Sequence, residues 1–249
     1  MEFGFEYLGM NILKRNYTHR NLIIFLLLSL IYLEAISSLA VGDSLFSLAR
    51  LRDFFVNHYI VLASTLLSIY TALKFKKYSQ WVLLANVVLI AGENFILLSG
   101  SFNKLILVLN FIYVIFAFYY YIIWELEVEL ACFNPKFTRF DLAKEVRFPL
   151  KAYLISEGEG LKKISVHLTN IDDQSCFVLL DQSALDEVSP KDKYQLLLDF
   201  DGVEFTTKAF VVSQYDRGYG LMFEKRKSGL NQPNWSDLYH VCRERGLVT

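Results

Sequence analysis

Four apolar runs crowd the stretch between Asn21 and Trp124: Asn21 to Val41, Tyr59 to Leu73, Trp81 to Leu98 and Leu105 to Trp124. A bilayer core of about 30 Å takes about 20 apolar residues in helical form. The first, third and fourth runs meet or approach that length. The second is short and needs Asn57, His58 and Lys74 in the interfaces to complete it. So much contiguous apolar surface is solvated best by lipid, so the expectation is four transmembrane helices. A mean hydropathy of +0.32 agrees, although it averages over two unlike halves. Beyond Phe140 the chain turns polar, charged and alternating. The expected division is an N-terminal interfacial segment 1–20, a four-span domain 21–124, a juxtamembrane helix and linker 125–143, and a cytosolic domain 144–249.

Phe5, Leu8, Ile12 and Leu13 fall near one helical face beside Lys14 and Arg15, which suggests a short interfacial helix leading into the first span. The following apolar run is too long for the core of a cleavable signal peptide. Lys14, Arg15 and Arg20 precede span one, and Lys74, Lys76 and Lys77 fill the connection between spans two and three. Arg50, Arg52 and Lys104 mark the other side. Basic residues concentrate in cytoplasmic connections, so both termini are expected in the cytoplasm of a bacterium, with the spans in its inner membrane. Trp81 opens span three, and Tyr119, Tyr120, Tyr121 and Trp124 close span four as an aromatic belt. Gly42 to His58 reads as an amphipathic helix on the outer surface, or as a docking face for a periplasmic partner.

Glu34 and Glu93 lie inside spans, where a charged carboxylate costs a few kcal/mol unless it faces protein or water. With Asn94 they form a candidate polar pocket. Two readings stand: a proton relay or a contact with a larger membrane machine, and a protonated glutamate that holds the bundle together. Asn86 and Asn110 are expected to bond between helices. Glu125, Glu127 and Glu129 alternate with apolar residues after span four, and helix four is expected to run on until Pro135 stops it. Asn134 to Glu145 is the linker between domains.

After Phe148 the apolar period changes from helical to two. Strands are expected over Lys151 to Glu157, Lys162 to Ile171, Ser175 to Asp181, Tyr194 to Phe200, Val203 to Ser213 and Tyr219 to Glu224. Asp201-Gly202 is the strongest hairpin signal in the chain. Asn234 to Gly246 reads as a terminal helix with Asn234 as its cap. Six short antiparallel strands plus a helix imply a small β-barrel or sandwich.

Several stretches carry a resemblance. Val146-Arg147-Phe148-Pro149-Leu150-Lys151 holds an Arg-Phe-Pro core just before the first strand. Asn170-Ile171-Asp172-Asp173-Gln174-Ser175 follows the second strand. Ala209-Phe210-Val211-Val212 and Tyr219-Gly220-Leu221-Met222-Phe223 come later. In this order they resemble the PilZ domain, a six-stranded barrel best known as a bacterial cyclic di-GMP receptor. The resemblance covers about Lys144 onward. It implies a nucleotide site at the family's R-x-x-x-R and (D/N)-x-S-x-x-G motifs, which fall here on Arg147, Lys151, Asn170, Asp172 and Ser175. Both motif arginines are missing in the family's register, and a one-residue slip pairs Arg147 with Lys151. Asn170 matches, Asp172 replaces the serine and Ser175 the glycine.

Those departures have physical weight. Arginine forks hold phosphate and guanine bidentately, and lysine is a point charge. A carboxylate about 4 Å from a phosphate repels it by roughly 4 kcal/mol at an effective dielectric near 20. The glycine's tolerance of positive φ is also lost. The expectation is therefore no resident cofactor and no bound cyclic di-GMP, with Arg147, Lys151 and Arg139 as a solvated basic rim.

No enzyme signature is present. Gly158-Glu159-Gly160 lacks the context of a phosphate loop, and no G-x-S-x-G or Cys/His pairing stands out. Cys132, Cys176 and Cys242 are odd in number with no C-x-x-C, which argues against a disulfide framework or a zinc site. His19, His58, His167 and His240 are scattered. A net charge of −1 gives no field for nucleic acid. The expectation is a non-catalytic adaptor or regulator in the inner membrane, with a lipid bilayer and a larger membrane complex as partners and homo-oligomers compatible. The resemblance implies flagellar motors, type IV pili or polysaccharide synthases as the machine, with motility favoured. The alternative is a cyclic di-GMP receptor that signals through its helices, and a third reading is a small transporter using Glu34 and Glu93. Trp235, Leu238 and Tyr239 are the candidate contact surface, or else the packing face of the terminal helix.

Overall fold

A computed structural model describes residues 10–42, 48–137, 150–156, 163–181, 184, 187–224 and 235–246, with the backbone alone at 48–51. The chain forms two compact units, one of Asn16–Val128 and one of Met1–Arg15 with Glu129–Thr249.

The first unit is helical: α1 (Tyr17–Val41), α2 (Leu48–Asn57), α3 (Tyr59–Leu73), α4 (Ser79–Ser101) and α5 (Lys104–Val128). Among the described residues, α1, α4 and α5 are long and apolar enough to cross a membrane, which fits a membrane protein. α3 has 15 residues, about 22 Å at 1.5 Å per residue, short of a bilayer core. It follows α2 almost without a break, because the His58 amide donates to Phe54 O at 2.9 Å and the Leu62 amide to His58 O at 3.0 Å. Asn16 caps α1 through its Oδ1, which accepts from the His19 amide at 3.0 Å.

The bundle buries polar side chains among apolar ones such as Leu33, Val61 and Ile90, and leaves large apolar side chains on its outside. The stripe that α4 buries is Ser79, Leu83, Asn86, Ile90 and Asn94. α3 buries Thr65, Ser68 and Thr71, while Leu66, Leu67, Phe95, Leu107, Phe111 and Phe118 stand exposed. In water this arrangement would be upside down. In lipid it is favourable, because the outside gains nothing by being buried and polar groups need each other. Thr65 Oγ1 donates to Asn86 Oδ1 at 3.0 Å, an interhelical bond of the kind expected for Asn86.

One end of the bundle gathers four termini. The His19 ring stacks on Phe75 at 5.0 Å and lies 5.8 Å from Trp124. Trp124 Nε1 donates to Ser79 Oγ at 2.8 Å, and the Asn16 amide donates to the Glu127 carboxylate. The start of α1, the end of α3, the start of α4 and the end of α5 therefore meet there, and the four helices run alternately up and down.

The second unit is a closed six-stranded antiparallel barrel with a C-terminal helix. Its strands are β2 (Leu150–Ser156), β3 (Lys163–Ile171), β4 (Ser175–Leu180), β5 (Lys193–Phe200), β6 (Val203–Tyr215) and β7 (Gly218–Phe223), followed by α6 (Trp235–Glu244). The order β6-β5-β2-β3-β4-β7 closes through β6–β7 pairing. Alternation fills the interior with Leu154, Val166, Val178, Leu196, Ala209 and Leu221, and α6 adds Trp235, Leu238 and Cys242 to the same core. Those α6 side chains are packing groups, so of the two readings offered for Trp235 and Leu238 burial favours the second. The Asp201-Gly202 hairpin forms with both residues at positive φ, 53° and 78°, as a type I′ turn requires.

Two expectations fail. Asn11–Ile12 is not part of a helix: it is a strand, β1, paired antiparallel with Gln214 and Ser213 of β6. β5 covers β6 only as far as Phe210, and β1 takes the open edge beyond it. Val212, bulged out of the β6–β7 register, accepts from the Leu13 amide at 2.9 Å and the Lys14 amide at 3.1 Å. Helix four does not run to Pro135 either. α5 ends at Val128, and Ala131–Phe133 forms a short 3-10 turn. Hydrogen bonds from the barrel capture this segment and outweigh its modest helical preference.

Candidate functional site

Three of the residues that the resemblance assigns to a dinucleotide, Asn170, Asp172 and Ser175, hold the chain's own backbone. The register of β3 slips between Leu168 and Asn170, which is a β-bulge and re-aims the side chains beyond it. Asn170 Nδ2 donates to Asn134 O at 2.9 Å. The Asp172 carboxylate is the keystone. Its Oδ1 accepts from the Gln174 amide at 2.7 Å and the Ser175 amide at 2.6 Å. Its Oδ2 accepts from Ser175 Oγ at 2.6 Å and the Ala131 amide at 2.5 Å. Ser175 Oγ in turn accepts from the Cys132 amide at 3.1 Å, and Ser213 Oγ donates to Cys132 O. Residues 131–134 are thus strapped across the outside of the barrel.

Two glycines of β7 make the groove for this strap. A Cβ on Gly220 would overlap the carbonyl oxygen of Cys132 and Oγ of Ser213. A Cβ on Gly218 would overlap the Phe177 ring and lie 2.9 Å from Phe137 Cζ. At these two positions the absent side chain is the space that the strap fills. The strap then ends in a small second core on the outer face, where Met10, Phe137, Phe177, Leu179 and Tyr215 pack with Ile12 beside them. β4 is consequently buried on both faces. Burial also raises the Cys176 thiol well above its usual range, with the nearby Asp172 carboxylate and Cys132 adding to the shift.

The other expected site residues are placed as follows. Lys151 is exposed on β2 opposite His167 of β3. Arg147 and Arg139 lie outside the described residues. In the helical unit, Glu34 is buried and accepts from Ser38 Oγ at 3.5 Å. Glu93 Oε2 lies 3.6 Å from His58 Nδ1, and Asn94 Nδ2 donates to Asn110 Oδ1 at 3.3 Å. The sequence does not place His58 beside Glu93, because nothing in the order of residues sets the junction of α2 and α3 against α4. Among the described residues no three His, Cys, Asp or Glu side chains converge as a metal ion would need.

No motif marks Ser213, Gly218, Gly220 or Cys132 as site residues. A signal for them existed: the unbroken apolar run Cys176 to Leu180 announces a strand covered on both faces, and hence a covering segment. No family model matches the chain, and no curated protein matches it.

Proposed function

We propose that the protein is a non-catalytic adaptor of the bacterial inner membrane. Four helices fix it in lipid, and a PilZ-like barrel on the cytosolic side docks onto a larger membrane machine. A motility apparatus, flagellar motor or pilus, is the favoured partner on the resemblance alone. The observation that carries this reading is the occupied groove: Asn170, Asp172 and Ser175 are engaged by residues 131–134. A nucleotide there would have to displace those backbone partners and face the Asp172 carboxylate.

α3 serves as the fourth span in this reading. The helical unit begins and ends at one end, as the Asn16–Glu127 bond and the His19–Trp124 contact indicate. A chain that enters and leaves on the same side crosses an even number of times. Three long helices alone would make it odd, so α3, lengthened by the last turn of α2, supplies the remaining crossing. Lys74, Lys76 and Lys77 then lie at the end that Lys14, Arg15 and Arg20 mark, which supports a cytoplasmic location for it.

The test is titration of cyclic di-GMP into the full-length protein in lipid nanodiscs, followed by calorimetry. The expected outcome is no saturable heat at ligand concentrations on the order of 100 μM, where a site of micromolar affinity would be filled. Saturable binding that Arg147→Ala weakens would establish the receptor alternative in its place.

A further inference from the structure

The strap is built unlike the rest of the barrel. Strands β2 to β7 are held by continuous ladders around a shared core. Residues 131–134 form no strand, and side chains of Asp172, Ser175, Ser213 and Asn170 bond their backbone. A segment that closes no ladder can leave without unzipping one, so its opening free energy is lower than that of the strands beneath it.

Both flanks of the helical unit enter this cover. Residues 10–14 are paired to β6, and Phe137 packs with Met10 in the outer core. Sequence continuity ties these flanks to one polar clamp within the helical unit. Asn16 follows Lys14 by two residues, Glu127 precedes Ala131 by four, and the Asn16 amide donates to the Glu127 carboxylate.

We infer that residues 131–137 form a releasable strap whose closure is governed by the Asn16–Glu127 clamp, so that separating the ends of α1 and α5 opens the groove on β4 and β7. This goes beyond the adaptor reading and holds whichever partner the barrel meets.

The native cysteines supply the readout. Cys132, in the strap, and Cys176, in the barrel core, are both 0% exposed. Full-length protein in nanodiscs is exposed to N-ethylmaleimide, and alkylation of each cysteine is timed by mass spectrometry. Local opening of the strap makes Cys132 react about tenfold or more faster than Cys176, which needs the barrel to open. Asn16→Ser keeps the cap on α1 and drops the amide that reaches Glu127, and it raises the ratio of the two rates by about threefold or more. Equal rates in the wild-type protein would mean that the strap opens only with the barrel, and would overturn the inference. A ratio that Asn16→Ser leaves unmoved would overturn the role of the clamp.

Discussion

The helical unit and the barrel unit use the same residue types in opposite ways. In the bundle, Thr65, Ser68, Asn86 and Asn94 are buried while Leu107, Phe111 and Phe118 face out. In the barrel, Leu154, Val166 and Leu196 are buried while Lys151, Lys163 and Lys208 face out. The difference lies in the solvent. A lipid-facing helix satisfies its backbone internally and needs polar side chains only to join its neighbours. A barrel in water is driven together by its apolar interior. The strap belongs to neither pattern: it is a polar, side-chain-made joint on the outside of an apolar-cored domain.

The sharpest way to break this comparison is to place one charge on each outer face. Phe111→Asp puts a carboxylate on the lipid side of α5 and is expected to cost about 3 kcal/mol of insertion free energy. Tyr153→Asp on the barrel exterior gives up strand preference and the contact with Lys163 Nζ, 3.9 Å from the ring centroid, and should cost no more than about 1.5 kcal/mol of unfolding stability, with no effect on insertion. Membrane fractionation and thermal unfolding read the two effects, and equal outcomes would erase the distinction.

Gly220→Ala comes next. Its Cβ meets backbone and not a flexible side-chain tip, so a loss of about 2 to 3 kcal/mol is expected, read by urea unfolding of the full chain. An Ala variant as stable as the wild type would mean that the strap yields freely. Asp172→Asn follows at about 2 kcal/mol, because the amide cannot accept on both of its ends and leaves donors of Ala131 or Ser175 unsatisfied. Amide hydrogen exchange over residues 131–134 is the direct check, and unchanged protection there would remove Asp172 from its keystone role.

Thr65→Val in the bundle should cost only about 0.6 kcal/mol, the typical worth of an interhelical hydrogen bond in a membrane. A loss equal to that of Asp172→Asn in steric-trap unfolding would show that polar joints weigh alike in both units. The smallest effect is electrostatic. Lys193 Nζ lies 2.6 Å from Glu224 Oε1, and that hydrogen bond holds the Glu224 carboxyl below its ordinary value of 4.5. A depressed folded-state value contributes stability that is present above the unfolded value and lost as pH falls through the folded one. Glu224→Gln should therefore lower stability slightly at pH 7, where the pair is intact, and converge with the wild type as pH falls well below about 4.5, so that the acid limb is flattened. An acid limb identical to the wild type would leave the pair without energetic weight.

The fold was readable where its cause is local. Strand alternation does not require a partner to be seen: Ile164, Val166 and Leu168 mark β3 by spacing alone, and Asp201-Gly202 announces its hairpin by the φ values those residues tolerate. The apolar runs of α1, α4 and α5 are as plain, since length and composition suffice. The candidate site was readable only as a set of residue types. Asn170, Asp172 and Ser175 are indeed neighbours in one polar cluster, but their partner is Ala131 to Asn134, about 40 residues earlier in the chain. The N-terminal segment misled because Phe5, Leu8, Ile12 and Leu13 suit a helix face, while an open edge on β6 gives Asn11 and Ile12 backbone partners that a helix on a membrane surface does not need. That edge also bears on experiments. A fragment beginning after the linker would lack Met10 and Phe137, so the outer core calls for the full chain.

What the sequence determined by itself is the division into helices fit for lipid and strands fit for a barrel, because hydrophobic length and period are properties of neighbouring residues. What only the tertiary structure decided is the use of Asp172, Ser175 and Gly220 as a seat for the chain's own backbone. Hydrogen-bond donors that distant carry no trace in local order. They find each other only when β3, β4, β6 and β7 are already side by side.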